Sequence, residues 1–289
     1  MNKLVYIVFT LLITTLVSCS DRDDNPPPPN LIVKFTLDPN QVRLNNFGQQ
    51  VSIPPTNATQ TPNFRGISSH YIELTPNANT PLFGGTIVYY APETTLGGET
   101  AIDFSKCKII GNNEVFLEIP LATLGKGTFE WLRVSIAYQN YDITVKHQNE
   151  LYTGTVASFV GFNTYITDFS IENNIFNING NKPQGFWAFA LQGQPYASQG
   201  QTLAGATTVP NPLFASSPIP SNSCVVTGKF PAPLTITGKE TEDIVINASF
   251  SINKSFEWKE VTFDSKFEPS IGETVVDMGV RGLYPTFKK

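Results

Sequence analysis

Phe129-Glu-Trp-Leu-Arg-Val-Ser-Ile-Ala-Tyr138 decides the fold class. Successive side chains of a strand point to opposite faces, so Leu132, Val134, Ile136 and Tyr138 would share one face. Trp131, Arg133, Ser135 and Ala137 would share the other. The first set is apolar and is expected to face a core. The second, carrying the arginine and the serine, is expected to face away from it.

The same two-residue period recurs outward in both directions. Downstream, Tyr141–Lys146 and Leu151–Phe162 flank His147-Gln-Asn-Glu150 as a hairpin. Tyr165–Ile171 and Ile175–Asn179 form a second across Glu172-Asn173-Asn174, and Gly185–Leu191 is an apolar strand. Upstream, Leu31–Leu37, His70–Thr75 and Thr86–Tyr90 read as strands. Cys107–Ile110 and Val115–Ile119 flank the turn Gly111-Asn112-Asn113. Gln192–Ser223 is a loose stretch, after which Cys224–Phe230, Leu234–Thr237, Asp243–Ile252 and Phe256–Trp258 resume the pattern. No helical period lasts more than a turn or two. Short strands separated by Gly, Pro and Asn predict an all-β, antiparallel sandwich over residues 31–289. It is either one extended sandwich or two smaller ones meeting near residues 145–165.

Composition agrees: 21 Gly and 22 Pro, with only 15% charged residues, suit a turn-rich β protein. The net charge is −5, and no Lys/Arg run is present. That argues against nucleic acid or an anionic lipid surface as the body's partner.

The N-terminus carries a different signal. After Lys3, Leu4 to Val17 is uncharged. As a helix this run would span about 21 Å, short of the roughly 30 Å hydrocarbon core. Residues 1–18 therefore read as a secretory signal peptide. Its ending, Leu16-Val17-Ser18-Cys19, resembles the bacterial lipobox, which implies cleavage before Cys19 and acylation of its thiol. An ordinary signal with a chance cysteine is the alternative. Ser20, Asp21, Asp23 and Asp24 resemble the acidic export signal of Bacteroidota lipoproteins, against the plainer reading of a solvated spacer. Pro26–Pro29 completes a stiff polyproline tether over residues 19–30. Together these imply an outer-membrane, lipid-anchored protein facing the cell exterior.

Candidate chemistry in the body is sparse. Glu260, Thr262, Asp264, the Lys266 carbonyl, Glu268 and Glu273 follow the alternate spacing of a calcium loop. Ser265 stands where such a loop needs glycine, and two extra residues precede the closing glutamate. A plain acidic turn fits the same residues. Cys107 and Cys224 either pair as a disulfide in an oxidising compartment or stay as buried thiols. His70 lies near Ser68, Ser69 and Glu73, but no G-x-S-x-G elbow supports a hydrolase. His147 falls at a polar hairpin tip. Tyr89, Tyr90, Tyr196 and Phe214 border polar loops, where flat rings suit a glycan or a protein partner.

Three phrases, GTFEWLRVSIAYQNYDI (Gly127–Ile143), TGTVASFVGFNTYI (Thr153–Ile166) and GETVVDMGVRGLYP (Gly272–Pro285), resemble a group of flavobacterial surface lipoproteins. The resemblance implies the location but no activity. The strand Leu31–Leu37 with GTFEWLRVSIAY is also similar to MbnP-like envelope β-sandwiches, some of which bind copper. Two histidines and two methionines are too few to carry a copper ligand set over. The expected function is an envelope binding or structural module. An extracellular polymer hydrolase and a calcium-stabilised adhesion module are the alternatives.

Overall fold

The computed structural model describes residues 27–50, 52–202, 219 and 223–289. Cys19, Ser20, Asp21, Asp23, Asp24 and Phe214 lie outside the described residues. In chain order the strands are β1 (Asn30–Asp38), β2 (Asn57–Gln60), β3 (Asn63–Thr75), β4 (Thr86–Tyr90), β5 (Glu93–Thr94) and β6 (Ala101–Asp103). There follow β7 (Glu114–Pro120), β8 (Gly127–His147), β9 (Glu150–Phe159), β10 (Asn163–Ile171), β11 (Asn174–Pro183) and β12 (Phe186–Leu191). The last six are β13 (Ala197–Gln201), β14 (Val225–Ile236), β15 (Ile244–Ser251), β16 (Phe256–Lys259), β17 (Thr274–Asp277) and β18 (Leu283–Lys288).

The protein is an all-β sandwich. Its central sheet has the order β13-β12-β9-β8-β3-β4, with β14 also paired to β8. One face carries the sheet β18-β15-β1-β7 and the small sheet β17-β16-β2. There Val33 and Phe35 of β1 and Ile246 and Phe250 of β15 join Leu132, Val134 and Ile136 in the main core. The other face carries β11-β10-β6-β5, where Phe159, Phe186 and Ala188 meet Ile166, Phe169 and Ile171. Pairing is mostly antiparallel, but β1 runs parallel to β15 with Leu31 beside Ile244, and β10 runs parallel to β6.

Strand β8 organises the molecule, and it departs from its sequence reading in two ways. Both of its faces are buried from Leu132 to Gln139, so Arg133, Ser135 and Ala137 do not face solvent. The loop before β4 reaches the second face, where the terminal nitrogens of Arg133 bind Glu73 and the carbonyls of Thr80 and Pro81. Tyr138 also leaves the face of Leu132, Val134 and Ile136 and enters the second core. The cause is an exchange of neighbours. β8 pairs β14 as far as Ser135 and β9 from Tyr138 onward, and the Ala137 carbonyl accepts both Val160 N–H and Gly161 N–H. That irregularity shifts the alternation, so that Tyr141, Ile143 and Val145 return to the main core.

Both predicted hairpins form, each with a two-residue turn (Gln148-Asn149 and Glu172-Asn173). Cys107–Ile109 is not a strand, and Ile110 makes only an isolated bridge to Ile67, while β7 pairs β1. The stretch expected to be loose contains β13, an edge strand of small polar residues with no apolar alternation to reveal it. Cys224–Phe230 and Leu234–Thr237 merge into β14, irregular between Lys229 and Leu234, where two prolines interrupt the ladder.

The two ends of the sandwich differ. Asn30 pairs Pro120 and its N–H binds Asp243, while Gly127 pairs Ile236 and Val245 pairs Lys288, all at the end where β1 begins. From there β8 runs 21 residues, a contour of roughly 65 Å, to the His147–Glu150 turn at the far end.

Candidate functional site

At that far end an apolar groove of about 940 Å³ opens between the central sheet and the small sheet. Ile143 and Val145 of β8, Val156 of β9, and Trp187, Phe189 and Leu191 of β12 form its floor. Phe256, Phe267, Val275, Val276 and Met278, from the small sheet and its loops, form the opposite wall. The volume lies within the ordinary range for small-molecule sites, about 300–1,000 Å³.

The floor depends on two glycines. Trp187 pairs directly with Gly200 on β13, and a Cβ at Gly200 would meet the indole at 2.5 Å. Gly154 on β9 sits under Phe189, and a Cβ there would collide with the ring. Both aromatics therefore occupy space that a side chain at Gly200 or Gly154 would take, and both line the groove. Alternation places Phe186, Ala188 and Ala190 on the opposite, fully buried face of β12. Tyr196 stands at the rim, 53% exposed, edge-on to Phe189 at 6.2 Å between centroids.

Several polar groups of the groove are held by protein partners. Gln139 accepts Val280 N–H at 2.9 Å, and Asp277 is paired with Arg281 and Arg43. Arg43 also binds Glu257, so two cations and two carboxylates compensate one another behind the wall. Toward the groove the surface is mainly hydrocarbon and aromatic, with the hydroxyls of Tyr152, Ser158, Ser198, Thr202 and Ser270, the amide of Gln194, and Lys146 and His147 near the hairpin turn.

The acidic loop beside the groove spends its carboxylates on protein partners. Glu260 accepts Ser265 N–H, and Glu273 accepts both Val261 N–H and Glu268 N–H. Asp264 accepts Lys266 N–H, and the Lys146 ammonium bridges Asp264 at 2.6 Å and Glu268 at 3.3 Å. That ion pair holds the Asp264 carboxyl below its usual range. Thr262 and Lys266 are exposed. Among the described residues no three His, Cys, Asp or Glu side chains gather to hold a metal ion.

Cys107 and Cys224 are free thiols in different settings. Cys107 approaches the Asp103 carbonyl and Cys224 the Ser135 hydroxyl, and burial raises both pKa values. The residues imagined for a serine hydrolase do not come together. Ser69 donates to backbone carbonyls, Glu73 pairs with Arg133, and His70 binds Glu93 at 2.9 Å. His147 is exposed at the mouth of the groove. Tyr89 packs edge-on against Phe116, whereas Tyr90 is 46% exposed.

Sequence reading found the strand Gly185–Leu191 but not its role. Its signal was an apolar residue on both faces, small at Ala188 and Ala190 and large at Trp187, Phe189 and Leu191. Only the large face lines the groove. No family model, curated protein or solved structure matches this chain.

Proposed function

We propose that the protein is a ligand-binding envelope module, held at the outer membrane through lipid on Cys19, whose groove takes an apolar or aromatic small molecule. The observation that carries this reading is the groove floored by Trp187 and Phe189, whose rings fit because Gly200 and Gly154 lack side chains. Burying an aromatic side chain's worth of surface contributes about 1.5–3 kcal/mol, enough for useful affinity when several rings face one ligand. The mouth lies at the end opposite the start of β1, which suits capture from the medium.

The test is a titration of the purified protein with the neutral apolar fluorophore N-phenyl-1-naphthylamine, read by probe emission and by quenching of tryptophan. Saturable binding is expected, weakened about tenfold or more by Trp187→Ala or Phe189→Ala. Gly200→Val should weaken it as well, by displacing the indole without removing it. Binding that is unsaturable, or indifferent to all three substitutions, would remove the groove as the site.

A further inference from the structure

Away from the groove, a second surface gathers rings around one carboxylate. Phe83, Tyr90 and Phe162 are 54%, 46% and 45% exposed. They are joined by two buried rings: Tyr71 contacts Phe83 at 4.9 Å, and His70 contacts Tyr90 at 4.8 Å and Phe162 at 5.2 Å. The rings of Tyr71 and Tyr90 are nearly parallel, 12° apart. This patch sits where the backbone is irregular. The β3 register shifts on both sides of Ser69, β8 exchanges β14 for β9, and Phe83 holds a left-handed φ of 62°. A non-glycine residue in that region costs about 1–2 kcal/mol, and here the outcome is an exposed ring.

Glu93 supplies the polar half. Its Oε1 accepts the Tyr90 hydroxyl at 3.0 Å and contacts His70 Nε2 at 2.9 Å. Those two partners fix the carboxylate at the edge of the ring platform, and its side chain remains 25% exposed. Among the described residues Oε2 has no hydrogen-bond partner, so it is an oriented acceptor at the margin of an aromatic face. A sugar has the matching chemistry: an apolar C–H face to lie on a ring and hydroxyls at its edge to donate to a fixed carboxylate. A carboxylate in that place disfavours acidic sugars by charge repulsion.

We propose that Tyr90, Phe162, Phe83 and Glu93 form a binding site for neutral saccharides, separate from the apolar groove. The experiment is affinity electrophoresis of the full protein in gels containing a neutral β-glucan, mannan or xylan, with alginate and polygalacturonate as acidic controls. At least one neutral polymer should retard the protein, and the acidic polymers should not. Tyr90→Ala and Phe162→Ala should each weaken retardation about tenfold, as expected for a lost stacking contact. Glu93→Gln should weaken it too, and Trp187→Ala should leave it unchanged. Thermal melting of each variant checks that these half-exposed substitutions leave the fold intact. The proposal is overturned if no neutral polymer retards the protein, or if acidic polymers do so equally. It also fails if retardation survives both ring removals or follows Trp187. A dimer in gel filtration that Tyr90→Ala dissolves would assign the patch to a second copy of the chain and overturn it as well.

Discussion

Arg133 is fully buried on the strand that decided the fold, and nothing in its neighbours announces this. Its guanidinium meets Glu73 at 3.2 Å and the Thr80 carbonyl at 2.7 Å, while Glu73 also accepts Gly85 N–H at 2.8 Å. The pair ties the loop before β4 to the middle of the sheet. Removing one member of a buried ion pair strands the other charge, so Arg133→Met should cost about 3–5 kcal/mol in urea unfolding. Adding Glu73→Leu to that variant should restore part of the loss. His70 makes a different prediction. Burial lowers its pKa from 6.5, with Glu93 opposing the shift. The unfolded chain therefore binds more protons than the folded one below about pH 6.5, and stability falls as pH drops through that window toward the folded pKa. The urea midpoint should fall more between pH 7.5 and 5.5 in the wild type than in His70→Gln. Equal falls would show that His70 does not carry the dependence.

At the scale of elements, local chemistry was the more legible part. The His147-Gln-Asn-Glu150 turn was readable because polar residues separate two alternating runs. In the structure Gln148 and Asn149 both have positive φ, 49° and 64°, as a type I′ turn requires. Glutamine is a poor occupant of that position. Gln148→Asn with Asn149→Gly should raise the unfolding free energy by about 1 kcal/mol, measured by urea titration, with probe binding in the groove unchanged. Strand β13 was illegible because Ala-Ser-Gln-Gly-Gln offers no apolar alternation. It exists because β12 provides a paired edge and because Gly200 makes room for Trp187. The phase shift at Ala137 was hidden for a related reason: a change of neighbouring strand leaves no mark on the strand that stays.

At the scale of the molecule, Asn30, where the first strand begins, and the groove lie at opposite ends of a long sandwich. If the acidic run after Cys19 directs export, the groove projects into the medium. Protease treatment of intact cells should then remove the body in the wild type and spare it when Asp21, Asp23 and Asp24 are all changed to Ala. Protection in both strains would place the protein on the periplasmic side, and the groove's ligand would then belong to the envelope.

The sequence by itself determined the all-β class, the strand-rich body and the two hairpin turns, because alternation and turn conformation are set by residues a few positions apart. The tertiary structure alone decided that β1 lies parallel to β15, with Asn30 and Asp243 bonded across 213 residues of chain. It also decided that Glu73 and the loop before β4 enclose Arg133, and that the small sheet stands off from Trp187 and Phe189. Which face of a strand is covered depends on the packing of distant segments, and the groove is where that packing stops short of an apolar face.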